Sequence, residues 1–148
     1  MDRARVERVL DAAPERMDDL QDLVAQMLTI EPTVATSDRI RFEMAVVEIF
    51  GNIVEHSVRR HAGPPVRRVE VVLTVSEESV VARFADDGQP VAIDLHEVTM
   101  PSPDAEDGRG LAMALAAVDD LGYEREGDIN RWTVTCTRSA STGPTVTA

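Results

Sequence analysis

The sequence predicts an α+β fold, a two-layer α/β sandwich with a mostly antiparallel sheet. Two observations carry that prediction. Apolar residues recur at helical spacing through two neighbouring segments, 17–28 and 36–60. Two pairs of alternating segments, within 69–84 and 123–137, are each joined by a short turn, which makes them hairpins. Helices grouped beside hairpin-connected strands give helices on one face of an antiparallel sheet.

The elements follow in order. Residues Arg3 to Asp11 alternate well enough for a strand, with Val6, Val9 and Leu10 apolar. Pro14 suits the first turn of a helix, where its missing N–H has no partner to lose. Met17, Leu20, Leu23, Val24, Met27 and Leu28 then recur at spacings of three and four, one amphipathic helix ended by Glu31-Pro32. Thr36-Ser37-Asp38 is an N-cap cluster for a second helix to about Arg60. Ile40, Met44, Val47, Ile53, Val54 and Val58 are expected to supply much of its buried surface.

His61-Ala62-Gly63-Pro64-Pro65 breaks that helix. Val69, Val71, Leu73 and Val75 alternate as a half-buried strand. Glu77-Glu78 turns the chain, and Val80, Val81, Ala82 and Phe84 form the hairpin partner, ending at Asp86-Asp87-Gly88. Residues 89–107 hold three prolines and five acids and read as a loop with at most a short helix. Long loops inside a compact domain are commonly functional. Gly110 to Leu121 is expected to be a helix stopped by Gly122, followed by a hairpin of Tyr123 to Glu126 and Trp132 to Thr137 across Gly127-Asp128. Residues 1–138 form one domain, and 139–148 read as a disordered polar tail.

Composition narrows the function. The chain has 148 residues and is 43% apolar, enough for an ordinary core. Aromatics are only 3%, so an aliphatic core is expected. The net charge of −12 argues against nucleic acid and anionic membrane as partners. All fifteen basic residues are arginine. With no lysine there is no P-loop and no Schiff-base chemistry. The single cysteine, Cys136, has no internal disulfide partner, which fits a reducing cytoplasm. No signal peptide and no bilayer-spanning apolar run are visible.

Glu48 and Asn52 share a helix, offset by about 40° around it and about 6 Å along it, so their side chains enter the same space. Asn is a mediocre mid-helix residue. Its amide oxygen is a hard neutral ligand suited to Mg²⁺, which takes few protein ligands. Glu48 is placed to accept a proton from a nucleophile approaching a phosphate, or to order a water; a solvated helix carboxylate is the ordinary alternative. Asp86-Asp87-Gly88 at a strand end is either a plain turn or an acceptor for an adenine amino group, with Gly88 allowing close backbone approach. Gly108-Arg109-Gly110 precedes a helix. It is either a flexible helix start or an anion site of backbone N–H groups, with Arg109 adding positive charge.

The three motifs in this order resemble the GHKL ATPase superfamily of gyrase, heat-shock protein 90, histidine kinases and MutL, with its Bergerat ATP-binding fold. Within it, the chain is most similar to the small bacterial anti-sigma factor serine/threonine kinases. Glu48-x-x-x-Asn52-x-x-x-His56 matches that subgroup's N box, Asp86-x-Gly88-x-Pro90 its first glycine box, and Gly108-Arg109-Gly110-Leu111 its second. The resemblance covers about Val6 to Arg138.

The resemblance implies an ATP- and Mg²⁺-dependent kinase. Glu48 is then the general base for a protein-serine hydroxyl, and Asn52 the ligand of Mg²⁺ bridging the ATP phosphates. Asp86 reads the adenine amino group beside Gly88. Gly108, Arg109, Gly110 and Leu111 close on the phosphates, and residues from about Pro101 to Asp107 form a lid. Thr135 on the last strand touches adenine or an ordered water. The implied partners are a sigma factor and a STAS-type anti-anti-sigma protein, and the implied assembly is a homodimer. Pro90 replaces a second glycine, as the subgroup tolerates. Ala112-Met113 replace the further glycine of histidine kinases, and there is no room for a helix bearing a phospho-accepting histidine. His56 lies in the N box; His61 and His96 are too isolated for a metal site. The alternative function is a non-catalytic ATP-binding module that sequesters a sigma factor or another regulator.

Overall fold

The computed structural model describes residues 1–59, 68–88, 90 and 109–139. Five strands and three helices follow in the order β1 (Asp2–Asp11), α1 (Met17–Ile30), α2 (Thr36–Arg59), β2 (Arg68–Ser76), β3 (Ser79–Asp86), α3 (Arg109–Ala117), β4 (Asp120–Glu126) and β5 (Ile129–Thr137). The strands form one antiparallel sheet in the order β1-β2-β3-β5-β4. The two-layer α+β architecture is the one predicted.

Strand alternation decides which face the helices cover. Val69, Val71, Leu73 and Val75 of β2, Val80, Ala82 and Phe84 of β3, and Trp132, Val134 and Cys136 of β5 are all buried on one face. α1 buries Leu20, Leu23, Val24, Met27 and Leu28 against that face, the stripe its periodicity predicted. Pro14 opens a short 3-10 turn, Pro14–Arg16, that feeds α1.

Aromatics are few, but they sit centrally. Phe42, Phe50, Phe84 and Trp132 are among the largest fully buried side chains. The core is thus aliphatic around an aromatic centre.

Four expectations need correction. The buried stripe of α2 is Phe42, Ala45, Val46, Ile49, Phe50 and the expected Ile53 and Val54, while Ile40 and Met44 are exposed and the side chain of Val58 lies outside the described residues. The two phenylalanines on the neighbouring stripe bury more apolar surface, and the helix turns to hide them. Asp38, expected in the cap cluster, turns its buried carboxylate to Ser139 instead, accepting from its backbone N–H at 2.7 Å and its hydroxyl at 2.8 Å. The expected tail thus begins on a held residue.

α3 stops at Ala117, and Leu121 and Gly122 belong to β4. There Leu121 pairs with Val134 and is buried, so sheet pairing prevails over helical periodicity. β5 likewise starts earlier, at Ile129, across a two-residue turn. Gly127 there has φ +61° and Asp128 does not have positive φ, the pattern of a type II′ hairpin turn.

Candidate functional site

Register places four residues of the helix-facing side in one row at one end of the sheet. Val69 of β2 pairs with Asp86 of β3, Asp86 with Asn130 of β5, and Asn130 with Arg125 of β4. The next row carries Val71, Phe84, Trp132 and Tyr123. The core therefore ends in a polar row of an acid, an amide and a guanidinium.

Asp86 is 7% exposed and Asn130 1%. Buried polar groups must find partners, and these do. Asp86 Oδ1 accepts the Gly88 backbone N–H at 2.8 Å, an Asx turn, and the Asn130 amide N–H at 3.1 Å. Asn130 Oδ1 accepts from the Tyr123 hydroxyl at 2.6 Å and from Arg125 Nη1 at 2.9 Å. Arg125 Nη1 also donates to the Gly88 carbonyl at 2.9 Å. An arginine can only donate, so the Asn130 atom facing it is the oxygen and the atom facing Asp86 is the amide nitrogen. Both bonds to Asp86 fall on Oδ1, which leaves Oδ2 to accept an N–H from a ligand.

Glu48 and Asn52 lie on α2, which packs over β3 and β5. Both are half-buried, flanking the stripe of Ala45, Ile49 and Ile53. Neither makes a hydrogen bond or ion pair to another described residue. They form a rim of two uncommitted oxygen-bearing groups beside the core. Among the described residues, no three His, Cys, Asp or Glu side chains cluster as a metal cage. A cation here would meet the Asn52 amide and oxygens brought by its ligand, the sparse protein coordination that suits Mg²⁺.

α3 packs beside α2. Arg41, two turns before Glu48, donates to the Ala117 carbonyl at the C-terminal end of α3 at 3.3 Å. The described chain resumes at Arg109, the first residue of α3. Gly108, the expected lid of Pro101 to Asp107, His61 and His96 lie outside the described residues, as do the side chains of His56, Arg109 and Leu111.

Thr135 is not brought to this place. It pairs with Val81, and both alternate with the buried residues, so Thr135 faces the opposite side of the sheet from Asp86. The β5 residue beside Asp86 is Asn130. A signal for it was present in the sequence: Asn130 shares parity with Trp132, Val134 and Cys136, the one polar member of an inward row.

Chemically, the sheet end offers a fixed carboxylate oxygen to a planar N–H donor. The helix rim offers an amide and a carboxylate to a charged, metal-bearing group. A family model described as the histidine kinase-like ATPase domain matches residues 10–136, most of the chain, including both parts of the site. Comparison with curated proteins gives no match. Among solved structures, the RsbU and RsbW domains of Rv1364c from Mycobacterium tuberculosis are similar, with 23% sequence identity and a TM-score of 0.60. That likeness covers 92% of this chain but only 33% of the other, and it concerns the fold. With the family model spanning nearly the whole domain, this chain belongs to the histidine kinase-like ATPase domain family.

Proposed function

We propose that the protein is an ATP- and Mg²⁺-dependent serine/threonine-protein kinase that also acts as an anti-sigma factor. It holds a sigma factor inactive and phosphorylates a STAS-type anti-anti-sigma protein, working as a homodimer. The family match supports the nucleotide. The observation that carries the kinase is Glu48. A carboxylate one turn from the candidate metal ligand, with no partner among the described residues, has no evident use in a pure scaffold.

ATP with its Mg²⁺ supplies the transferable phosphoryl group. The protein's part is positioning and charge. Asp86 Oδ2 receives the adenine amino group and sets the base in the sheet-end row. Asn52 holds the metal by its amide oxygen. Glu48 orients the serine hydroxyl and takes its proton as the hydroxyl oxygen bonds to the γ-phosphorus and the bond to the β-bridging oxygen breaks, releasing ADP. Arg109 and the backbone N–H groups of Gly108 and Gly110 bind phosphate oxygens.

Calorimetric titration with Mg²⁺–ATP tests the nucleotide, and incubation with labelled ATP and candidate STAS proteins tests the transfer. The expected result is saturable binding and label on the STAS protein. Binding without label identifies a sequestering module instead. No heat at millimolar ATP removes the nucleotide from the account.

A further inference from the structure

The polar row closes into a ring. Asp86 Oδ1 accepts the Gly88 N–H, Arg125 Nη1 donates to the Gly88 carbonyl and to Asn130 Oδ1, and Asn130 donates its amide N–H to Asp86 Oδ1. Four residues from β3, its following loop, β4 and β5 thus fix one another. Tyr123 adds a further donor to Asn130 Oδ1. A plain strand end would need none of this. A backbone turn at Gly88 closes without Asn130, and a hairpin turn closes without Arg125.

We infer that Asn130 and Arg125 are positioning residues that make the site selective for a purine bearing a 6-amino group, by holding Asp86 with Oδ1 saturated and Oδ2 presented. The inference rests on the nucleotide function proposed above and concerns how the base is discriminated. Without Asn130, Oδ1 keeps only the Gly88 N–H, and the carboxylate is held by one bond where it had two. Arg125 Nη1 also loses one of its two acceptors, and the Asp86 carboxylate, joined to the same Gly88 turn, is a charged acceptor that it can then pair with. A carboxylate satisfied by Arg125 no longer needs the ligand's N–H. A 6-oxo purine, which presents an acceptor at that place, is rejected by a bare fixed Oδ2 and tolerated by a carboxylate neutralised by a guanidinium. Arg125 also ties the β4–β5 hairpin to the Gly88 carbonyl, so the glycine box and the hairpin hold a single geometry.

Inosine triphosphate is the probe, because its base differs from adenine by an oxo group where adenine carries the 6-amino group. The experiment compares Kd for Mg²⁺–ATP and Mg²⁺–ITP in the full chain and in Asn130→Ala, Arg125→Met and Tyr123→Phe, each first checked for a cooperative melt. The wild type prefers ATP. Asn130→Ala lowers the ATP-to-ITP preference by about tenfold, the scale of one hydrogen bond to a charged group. Arg125→Met, at a half-buried position, lowers it several-fold, and Arg125→Lys restores part of the loss because an ammonium still donates to both oxygens. Tyr123→Phe gives the smallest change. Folded Asn130→Ala and Arg125→Met proteins that keep the wild-type preference would overturn the inference and leave the ring a stability device. If Asn130→Ala does not fold, Arg125→Met and Tyr123→Phe decide in the same way. ATP and ITP bound equally by the wild type would also overturn it, while leaving nucleotide binding intact. Binding of neither removes the nucleotide function itself.

Discussion

Arg41 of α2 donates to Asp38, one turn earlier, at 3.3 Å, and to Asp119, 78 residues later, at 3.1 Å. The same guanidinium reaches the Ala117 and Thr137 carbonyls. Asp119 in turn accepts the Thr137 N–H. One side chain thus joins the start of α2, the end of α3 and the end of β5, at the end of the sheet away from Asp86.

Asp38 is the buried member of this clamp, 1% exposed. Burial alone raises its carboxyl, but the Ser139 backbone and hydroxyl donors, with Arg41, outweigh it and hold the group below its ordinary value of 3.8. A depressed carboxyl contributes stability above its unfolded pKa and loses it as pH falls through the folded one. The contribution is therefore complete above about pH 5 and is lost progressively below about pH 4. Asp38→Ala lowers stability by about 1–2 kcal/mol at pH 7, since it removes the bonds from Ser139 and one of the acceptors of Arg41, which keeps Asp119 and two carbonyls. It also flattens the acid limb of the stability profile. Urea unfolding from pH 7 to 3 measures both, and a change within about 0.5 kcal/mol would show that the clamp is not stabilising.

Cys136 lies beside this clamp on the buried face of β5. Burial pushes its thiol up to about 11. The thiolate is the reactive form, so the folded protein resists thiol reagents at pH 8 and reacts once unfolded. Rapid labelling of the native state, followed by absorbance, would show that the sheet opens locally at β5.

Trp132 is the only tryptophan in the chain. Its ring lies 4.6 Å from Tyr123, whose hydroxyl bonds Asn130, and its own indole N–H has no partner among the described residues. It thus reports on the sheet-end row from one residue layer away. Saturating Mg²⁺–ATP shifts its emission, and Asp86→Asn abolishes the shift together with high-affinity binding. A shift of wild-type size in folded Asp86→Asn protein would place the base elsewhere.

Much of this was legible in the residues, and the misses have physical causes. β1, α1, and the β2–β3 hairpin read correctly because each has a single strong period and a marked end. The α2 stripe is legible at Ile53 and Val54 but not at Ile40 and Met44, because apolar residues occur on two adjacent stripes and the volume of Phe42 and Phe50 decides between them. The α3–β4 boundary is not legible because Leu121 fits either period, and its strand partner Val134 is remote in sequence. Glu48, Asn52 and Asp86 are visible as short motifs. Asn130 is marked only by its parity with Trp132, Val134 and Cys136, and its meeting with Arg125 and Tyr123 is not legible, because it depends on the β3–β5–β4 register, which no local pattern fixes.

Asn52→Ala separates the metal from the base. It removes the one amide oxygen offered by the helix rim while leaving Asp86 untouched. Magnesium then ceases to strengthen ATP binding, and the metal-independent part remains. Calorimetry with Mg²⁺ and with EDTA measures the difference; an unchanged magnesium dependence assigns the metal to another ligand.

The central claim is that Glu48 makes this nucleotide site a kinase. The direct measurement is phosphate transfer from labelled ATP to a STAS protein by wild-type and Glu48→Gln proteins, both first shown by calorimetry to bind Mg²⁺–ATP equally. The wild type transfers label, and Glu48→Gln, isosteric but no longer a base, loses transfer by about 100-fold or more. A Glu48→Gln protein that transfers label at the wild-type rate would contradict the account.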